Sequence, residues 1–328
     1  MKLTLEQITP LVKGAVRVAE DARGFHFYRF TEAQTASYLR VSPNDFYKKV
    51  FATAGVRLAI RTDSRKLSFD FKTTYASSRE YAYFDVYVDG VFKKHFGCEG
   101  NVMMDGSAVI ALPAGEKDVE VYFPWSRDAV ISNVELDDGA TVSTFTRPKT
   151  MISFGDSITH GYDAINPSLS YASQIARLLD AEQINKGIGG DIFFPELLDE
   201  KDPVDPDYIT VAYGTNDWSK CPRETFEKNC REFYTRLSAL YPNAKIFAIT
   251  PIWRGDWNRK VCGYGAPVTE INPAITEICK DLPNVTVINP YNFVPHRKDF
   301  FADAYLHPND IGFCLYAEGL YKEIVKHI

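Results

Sequence analysis

The spacing of apolar residues changes near residue 145, and this change constrains the fold more than any other feature. Before that point, apolar residues recur at every second position, as in GVRLAIRT, KLSFDFKT and KDVEVYFP. Such alternation is typical of strands that bury one face. Turn-forming stretches such as RTDSRK, PAGEK and LDDGA separate the runs, and Asp89-Gly90 indicates a hairpin. With no helical stretch expected between the strands, residues 1–145 are predicted to form a β-sandwich of the jelly-roll type.

After TFTRPKT (residues 144–150), strand-like runs alternate with helix-like runs. The strand-like runs are TMISF, QINKGI, DYITVAYG, KIFAITP and VTVINPY. In the helix-like run ETFEKNCREFYTRLSALYP, one face carries the apolar residues Phe226, Cys230, Phe233, Leu237 and Leu240. Strands that alternate with helices form a parallel sheet covered on both faces. Residues 146–328 are therefore predicted to form an α/β domain whose ligands bind beyond the carboxyl ends of the strands.

Composition and charge argue against several classes of function. Of the 328 residues, 45% are hydrophobic, which is enough to fill a large core. The net charge of −6 comes without a basic block, so we expect no nucleic-acid partner. No stretch approaches the roughly 20 consecutive apolar residues of a membrane helix, and the N-terminus lacks the features of a secretory signal. The six cysteines lie apart without a CxxC pair, which favours reduced thiols in a cytoplasmic protein.

The ends of the predicted parallel strands carry residues that could perform acyl transfer. Acyl transfer needs a hydroxyl nucleophile, a base and a third group that orients the base. Ser157 in FGDSIT, His307 in YLHPND and Asp303 just before it can fill these roles. The reaction also needs hydrogen-bond donors for the oxyanion. The Ser157 N–H, the backbone of Gly190 in NKGIGGD and the Asn216 amide in YGTNDW are candidates.

Each of these residues also has a structural interpretation. Ser157 or Thr159 could cap a helix, and the glycines could form an ordinary turn between strand and helix. Asn216 could belong to an Asx-turn together with Asp217, and His307 could be a loop histidine bonded to backbone. Their joint occurrence, in order, at successive strand ends favours the catalytic interpretation.

The segments FGDSIT, NKGIGG, YGTND and DAYLHPND resemble, in this order, the four signature blocks of the SGNH hydrolases, also called GDSL-type esterases and lipases. The resemblance spans roughly residues 150–328. It implies a flavodoxin-like three-layer α/β/α domain and hydrolysis through a serine acyl-enzyme, with no metal or organic cofactor. It also implies that Ser157 is the nucleophile and first oxyanion donor, that Gly190 and Asn216 are the second and third donors, and that His307 is the base.

The sequence departs from the family pattern at the third catalytic residue. The family usually has an aspartate three residues before its histidine, whereas Asp303 lies four residues before His307. A bulge could keep the Asp303 carboxylate within reach of Nδ1; otherwise a Ser–His dyad with a backbone carbonyl remains. We predict Asp303 as the third member, with Asp299 as the alternative, and expect Asp156 to shape the turn. A metal site formed by Asp303, His307 and His296 is a weaker alternative, because no second cluster supplies ligands.

The loop PIWRGDWNRKVCGYG suggests a carbohydrate substrate. Flat aromatic faces and a cation beside a polar cleft suit a sugar ring, although local packing would explain the same residues. The predicted substrate-binding residues are Trp253, Arg254, Trp257 and Tyr264 of this loop, together with Trp218, which lies next to the YGTND block. No long apolar segment resembles a lid for lipid, so we expect a small acyl group, acetyl in the first place.

The N-terminal half is similar in architecture to the jelly roll that precedes the catalytic domain in several bacterial SGNH esterases acting on acetylated polysaccharides or oligosaccharides. We expect it to form a wall of the cleft or an interface, with Trp125 at the junction, rather than a separate carbohydrate-binding module. The resulting prediction is a serine esterase on acylated carbohydrate. A lysophospholipase, thioesterase or arylesterase is the alternative, and a catalytically silent binding protein is a further one. Association into a homo-oligomer is compatible with the sequence, since such assemblies are common among soluble enzymes.

Overall fold

The computed structural model describes residues 1–100, 104–259 and 262–328. Antiparallel sheets take their strands from residues 12–143, and a parallel sheet takes its strands from residues 149–288. The predicted fold class, an all-β sandwich followed by a three-layer α/β/α region, is confirmed. The change in hydrophobic spacing near residue 145 thus corresponds to the change from one architecture to the other.

The described residues of the first region form two antiparallel sheets. Their strands are β1 (Val12–Lys13), β2 (Arg17–Asp21), β3 (Gly24–Tyr28), β4 (Arg57–Thr62), β5 (Lys66–Tyr75), β6 (Tyr81–Val88), β7 (Val91–Glu99), β8 (Met104–Ala111), β9 (Lys117–Tyr122), β10 (Arg127–Leu136) and β11 (Val142–Ser143). One sheet has the order β1-β4-β9-β6-β7, with β11 paired to β4, and the other has the order β2-β3-β10-β5-β8. Numbered from one to eight, strands β3 to β10 follow the orders 1-8-3-6 and 2-7-4-5, which define a jelly roll.

The alternating residues predicted to face inward do fill the space between the two sheets. Leu67, Phe69 and Phe71 of β5 are all buried, whereas the residues between them are partly exposed. Asp89 and Gly90 both have positive φ, at 50° and 75°, and Val88 pairs with Val91 across the turn. These angles suit the tight hairpin that the sequence indicated.

The expectation of strands alone before residue 145 is wrong for residues 29–54. The helices of this region are α1 (Leu5–Ile8), α2 (Glu32–Val41) and α3 (Phe46–Lys49). Helix α2 begins with a capping box, in which Thr31 and Gln34 satisfy each other's backbone N–H groups. Phe30, Tyr38 and Val50 then pack into the core of the α/β region. Helices α2 and α3 therefore form because apolar residues in and beside them are buried against the second region, a contact that local spacing does not reveal. Ile8 of α1 packs in the jelly-roll core instead.

The second region is built on a five-stranded parallel sheet in the described residues. Its strands are β12 (Lys149–Gly155), β13 (Ala181–Gly187), β14 (Tyr208–Ala212), β15 (Lys245–Ile249) and β16 (Val285–Ile288). Its helices are α4 (Ser157–His160), α5 (Tyr171–Leu178), α6 (Thr215–Lys220), α7 (Arg223–Leu240), α8 (Ile271–Cys279) and α9 (Asp310–Ile324). The order β13-β12-β14-β15-β16 is the 2-1-3-4-5 order of the flavodoxin fold, which places a ligand-binding crevice beyond the carboxyl end of the first strand.

Short 3-10 helices occur within several of the connections: Thr9–Leu11, Pro167–Leu169, Pro195–Leu198, Val268–Glu270 and Lys298–Phe300. In the described parts of the chain, none of the helices combines the length and the apolar content that crossing a bilayer requires.

Buried polar contacts join the jelly roll to the α/β region. Trp125 is 2% exposed, and its indole N–H donates to the carbonyl of Ala164 at 2.7 Å. Arg57 of β4 forms an ion pair with Glu182 of β13 at 2.6 Å. Trp125 therefore lies at the junction where the sequence analysis expected it. Because these groups are buried, removal of one partner would leave the other without a hydrogen bond or counter-charge, which is costly.

Phe233 of α7 provides a test of the packing on the parallel sheet. It is fully buried, and its ring lies 5.6 Å from that of Phe154 and 5.7 Å from that of Tyr213. Phe233→Ala should lower the free energy of unfolding by about 3–5 kcal/mol, because a large cavity replaces these contacts. Phe92→Ala, at a site 49% exposed, should cost less than about 1 kcal/mol in the same urea titrations. Similar losses in both variants would contradict this assignment of the core.

Candidate active site

Ser157 stands at the corner between β12 and α4. The strand ends at Gly155, and Asp156 is the cap of the helix, since its carboxylate accepts the N–H of Ile158 at 3.0 Å. Thr159 is occupied as well, in a hydrogen bond of 2.7 Å with the hydroxyl of Tyr171. The capping role that Ser157 could have filled therefore belongs to Asp156. Burial raises the pKa of Asp156 to about 6.

The structure brings Ser157, His307 and Asp303 together in one chain of hydrogen bonds. The Oγ atom of Ser157 lies 2.8 Å from Nε2 of His307, and Nδ1 of the same ring lies 2.7 Å from Oδ2 of Asp303. Because an ionised carboxylate only accepts hydrogen bonds, Nδ1 carries the proton and Nε2 accepts from the serine hydroxyl. A base in this tautomer can remove the proton of a hydroxyl nucleophile.

The extra residue between Asp303 and His307 is absorbed in a tight turn. Ala304 has a φ of 65°, in the left-handed region that residues other than glycine rarely adopt. Oδ1 of Asp303 accepts the backbone N–H groups of Tyr305, Leu306 and His307 at 2.8–3.1 Å. The turn therefore folds back onto its own aspartate, which leaves Oδ2 free for the imidazole.

The same hydrogen bonds keep Asp303 ionised. Burial raises the pKa of Asp303, but the hydrogen bonds from His307 and from the N–H groups of Leu306 and Tyr305 lower it by more. Its pKa therefore lies well below the ordinary range of aspartate. An ionised carboxylate at this position stabilises the imidazolium that forms when His307 takes a proton.

Gly190 and Asn216 lie close together at the adjoining strand ends. The Asn216 amide donates to the carbonyl of Asp191 at 3.0 Å, next to Gly190, whose φ is 88°. The segment is tied to the nucleophile turn because the N–H of Ile188 donates to the carbonyl of Gly155 at 3.0 Å. The segments that carry Gly190 and Asn216 are thus linked to each other and, through Ile188, to the turn that carries Ser157.

His160 connects this glycine segment to the jelly roll. Its Nε2 donates to the carbonyl of Trp125 at 2.9 Å, and its Nδ1 accepts the N–H of Gly189 at 3.2 Å. Burial, reinforced by the charge of Arg29, holds the pKa of His160 well below its usual value. A neutral ring is required here, because Nδ1 could not accept the N–H of Gly189 if it carried a proton.

Sequence reasoning missed Asp163 and Arg79. Oδ2 of Asp163 lies 3.5 Å from Nδ1 of His307, and its carboxylate binds the guanidinium of Arg79. Asp163 follows the FGDSIT block closely, but no spacing relates it to His307. Arg79 comes from the loop between β5 and β6, outside every recognised motif. Only the packing of the two regions brings these residues to the site.

Three of the five predicted substrate-binding residues are buried in the protein's own packing. Trp218 is 0% exposed; its indole N–H donates to the carbonyl of Ala266 at 2.6 Å, and Arg254 lies over its ring. Arg254 also donates to Asp256 and Thr215. Tyr264 is buried as well, with its ring 5.5 Å from that of Phe226. Local packing is therefore the better interpretation for Trp218, Arg254 and Tyr264.

The other two predicted residues, Trp253 and Trp257, are more accessible. Trp257 is 38% exposed, and Trp253 stacks on His296 at a ring separation of 5.2 Å. Nε2 of His296 is hydrogen-bonded to the carbonyl of Tyr291 at 2.9 Å. His296 is therefore engaged outside the metal site that the sequence suggested with Asp303 and His307. Asp299 pairs with Arg297 on the surface rather than with His307. Both Asp299 and His296 are thus placed outside the Ser157–His307–Asp303 chain.

One group of possible metal ligands does occur among the described residues. The ligand atoms of Asp163, Asp303 and His307 lie within 4.8 Å of one another. However, Arg79 donates two N–H groups to the carboxylate of Asp163, and Nδ1 of His307 is protonated toward Asp303. A guanidinium in contact with the carboxylate opposes a second cation, so this donor set fits a proton network better than a metal.

The jelly roll also lines a cavity that includes Arg79. Its volume is about 480 Å³, and it is lined by Ser78, Arg79, Glu80, Tyr81, Glu99 and Gly100. The hydroxyl of Tyr162, next to Asp163 in the chain, accepts the N–H of Ser78 at 3.4 Å. Two of the residues that line this cavity, Ser78 and Arg79, are therefore in contact with the loop after α4.

Comparison with known proteins identifies the class to which this fold belongs, and it supports an ester hydrolase. Residues 153–313 match the model of the GDSL-like lipase/acylhydrolase family, and this segment is a GDSL-like lipase/acylhydrolase domain. The resemblance to SGNH, or GDSL-type, hydrolases is therefore confirmed. No curated protein matches the chain in sequence.

Solved structures resemble almost the whole chain. Salicylyl-acyltransferase SsfX3 from a tetracycline biosynthetic pathway is 23% identical with a TM-score of 0.83, over 99% of this chain and 96% of that one. A candidate GDSL-like lipase from Bacteroides ovatus is 21% identical with a TM-score of 0.78, over 99% and 97%. A family two carbohydrate esterase from Clostridium thermocellum, in complex with cellohexaose, is 18% identical with a TM-score of 0.66, over 84% and 93%. At these identities the likeness shows the fold; together with the family match, it supports an ester hydrolase.

Two further buried carboxylates surround the site. Asp191 accepts the hydroxyl of Tyr38 at 2.7 Å, and Asp217 accepts the N–H groups of Gly214 and Phe193, both at 3.1 Å. Burial raises the pKa of Asp191 to about 7 and that of Asp217 to about 7. These residues position the second and third sequence blocks relative to each other.

The raised pKa of Asp191 predicts a pH dependence of stability. The unfolded carboxyl loses its proton near pH 4 and the folded one near pH 7, so the wild-type free energy of unfolding falls as pH rises between these values. Asn does not titrate, so Asp191→Asn should gain stability relative to wild type from pH 5 to pH 8 in urea titrations. Asp281→Asn, at an exposed position, should show a constant difference. A constant difference for Asp191→Asn as well would contradict the assignment.

Proposed function

We propose that the protein is a serine esterase that removes small acyl groups, acetyl in the first place, from esters of carbohydrates or oligosaccharides. The observation that carries this proposal is the hydrogen-bonded chain from Ser157 through His307 to Asp303, with distances of 2.8 and 2.7 Å. Its position at the carboxyl ends of β12 and its neighbours is where α/β folds bind ligands.

The proposed reaction has two halves, and in each half His307 takes up one proton and then donates one. His307 takes the proton of Ser157 as Oγ attacks the ester carbonyl, and Asp303 stabilises the imidazolium. The N–H groups of Ser157 and Gly190 and the amide of Asn216 stabilise the oxyanion. The imidazolium then protonates the departing alcohol, which leaves the acyl group on Ser157. Water repeats the sequence, so that the acid is released and the serine hydroxyl restored, with no metal or organic cofactor.

A carbohydrate substrate is supported by three observations. The carbohydrate esterase of Clostridium thermocellum has a similar fold and was solved with cellohexaose. The cavity that Arg79 lines also contains Ser78, Glu80 and Glu99, whose polar groups could bind the hydroxyl groups of a sugar. Trp253 and Trp257 also lie on an accessible loop, where a flat ring could stack on a sugar.

Acyl transfer to an acceptor alcohol is a second candidate. The similarity to salicylyl-acyltransferase SsfX3, over 99% of this chain, is the observation that favours it. Transfer and hydrolysis share the same acyl-enzyme and differ in whether an alcohol or water attacks it. The lysophospholipase, thioesterase and arylesterase alternatives use the same centre, but no comparable observation favours them.

The proposal also covers the cellular compartment, the size of the substrate and the association of the protein. All six cysteines are free thiols, which fits a reducing, cytoplasmic environment and therefore oligosaccharides rather than intact polymer as substrates. The acidic net charge of −6 supports a small-molecule substrate rather than nucleic acid. Association into a homo-oligomer remains a proposal that size measurements in solution would decide.

Acetate release from a panel of acetylated oligosaccharides tests the nucleophile. Ser157→Ala should lower kcat by roughly 10⁴-fold or more on the sugar that the wild type prefers, because no other group can form the acyl-enzyme. Ser107→Ala, at an exposed site in β8, should retain wild-type turnover. Equal activity of Ser157→Ala and wild type would overturn the proposal, and acetyl transfer to an added alcohol at the expense of acetate would favour the acyltransferase.

The size of the acyl group can be tested on matched esters of one alcohol. We expect kcat/KM to fall from acetyl through butyryl to octanoyl, because no long apolar segment of the sequence resembles a lid that would cover a lipid chain. Faster turnover of octanoyl than of acetyl esters would show that the small-acyl proposal is wrong.

A further inference from the structure

Asp163 is a buried carboxylate with a fixed guanidinium partner from the jelly roll. Nε of Arg79 donates to Oδ1 at 2.5 Å, and Nη2 donates to Oδ2 at 3.1 Å. The Asp163 side chain is 5% exposed and that of Arg79 is 31% exposed. Paired contacts of this kind fix the plane of the carboxylate as well as its position.

The Asp163 carboxylate lies beside the base of the proposed reaction. Its Oδ2 atom is 3.5 Å from Nδ1 of His307, whereas Oδ2 of Asp303 is 2.7 Å away. The single proton on Nδ1 therefore goes to Asp303, and Asp163 acts on the ring through its charge. Two unpaired carboxylates so close together would repel each other, and one would tend to take up a proton. Arg79 removes this conflict by neutralising Asp163.

The backbone at Asp163 is strained to hold this position. Its φ is 70°, which is uncommon outside glycine and costs on the order of 1–2 kcal/mol. Ala164, the next residue, accepts the indole N–H of Trp125, and the hydroxyl of the preceding Tyr162 accepts the N–H of Ser78, so the jelly roll contacts the loop on both sides of Asp163. Strain of this kind persists where surrounding contacts enforce it, and it is frequent at functional sites.

Charged groups from several elements face His307. Asp303 is on its own loop, Asp163 follows α4, and Asp156 precedes α4. Arg79 approaches from the jelly roll, and the ring of Tyr162 lies 5.6 Å from the imidazole. With Arg79 and Asp163 paired, the two charges cancel, so the charge that Asp303 presents to the imidazole dominates.

We propose that Asp163 and Arg79 are positioning residues for His307: a second carboxylate, held and neutralised by a guanidinium of the jelly roll, that sets the electrostatic environment of the base. The inference rests on the proposed function of His307. It makes the jelly roll part of the catalytic apparatus, because removal of Arg79 would leave an unbalanced negative charge beside the imidazole. Removal of Asp163 would leave an unbalanced positive charge in the same place.

The dependence of kcat/KM on pH tests this proposal, because purely structural residues would not move the profile in opposite directions. Arg79→Met should move the midpoint of the acidic limb to higher pH by about half a pH unit or more, since the extra negative charge favours imidazolium. Asp163→Asn should move it to lower pH by a similar amount. The double variant removes both charges and should return the midpoint close to that of wild type. Arg79→Lys keeps the charge and should also stay close to wild type.

Unchanged midpoints in both single variants, or shifts in the same direction, would overturn the proposal. A higher KM for Arg79→Met with an unchanged profile would likewise overturn it and indicate a substrate contact instead. Circular dichroism and thermal melting identify the variants that fold. If one single variant does not fold, the other single variant, the double variant and Arg79→Lys, each compared with wild type, still decide the direction in which the midpoint moves. Ser157→Ala distinguishes failure of this inference from failure of the proposed function. If Ser157→Ala is inactive but the Arg79 and Asp163 variants keep the wild-type pH profile, only this inference is refuted. If Ser157→Ala retains activity, the proposed function is refuted.

Discussion

The hydrogen bond between Ser157 and His307 joins two residues that are 150 positions apart, and the geometry of the site depends on it. It requires the turn after β12 and the turn before α9 to meet at one edge of the parallel sheet. Asp156 holds the first turn by capping α4, and Asp303 holds the second by accepting three backbone N–H groups. In each turn an aspartate satisfies the backbone, so the serine hydroxyl and the imidazole remain available to each other.

The jelly roll contributes to this geometry directly. It contacts the loop after α4 through several polar links, which include Arg79 to Asp163, Trp125 to Ala164 and Asp85 to Ser168. It also reaches the glycine segment, because His160 bridges the carbonyl of Trp125 and the N–H of Gly189. Both the base and the proposed oxyanion donors are therefore supported by residues from the N-terminal half. This arrangement differs from that of a binding module on a flexible linker, whose movements would leave the site unaffected.

Buried carboxylates are a recurrent feature around the site, and their environments differ. Burial is the main cause that raises the pKa of Asp156, Asp191 and Asp217 into the range of about 6 to 7, and neighbouring carboxylates add to it for Asp191 and Asp217. Asp303 is also partly buried, but donated hydrogen bonds keep it ionised. The difference follows from the number of donors that each carboxylate receives and from their charge. It assigns structural roles to the first three and leaves Asp303 as the acceptor for the imidazole proton.

The sequence by itself determined the two architectures, because hydrophobic spacing is a local property that burial on a sheet or helix directly requires. It also determined Ser157, Gly190, Asn216, His307 and Asp303 as candidates, since each lies within a short block with its own turn chemistry. The sequence did not indicate helices α2 and α3, because their apolar residues pack against a distant region. It did not indicate the burial of Trp218 or the approach of Arg79 to Asp163 either. These features depend on contacts between segments far apart in the chain, and only the tertiary structure decided them.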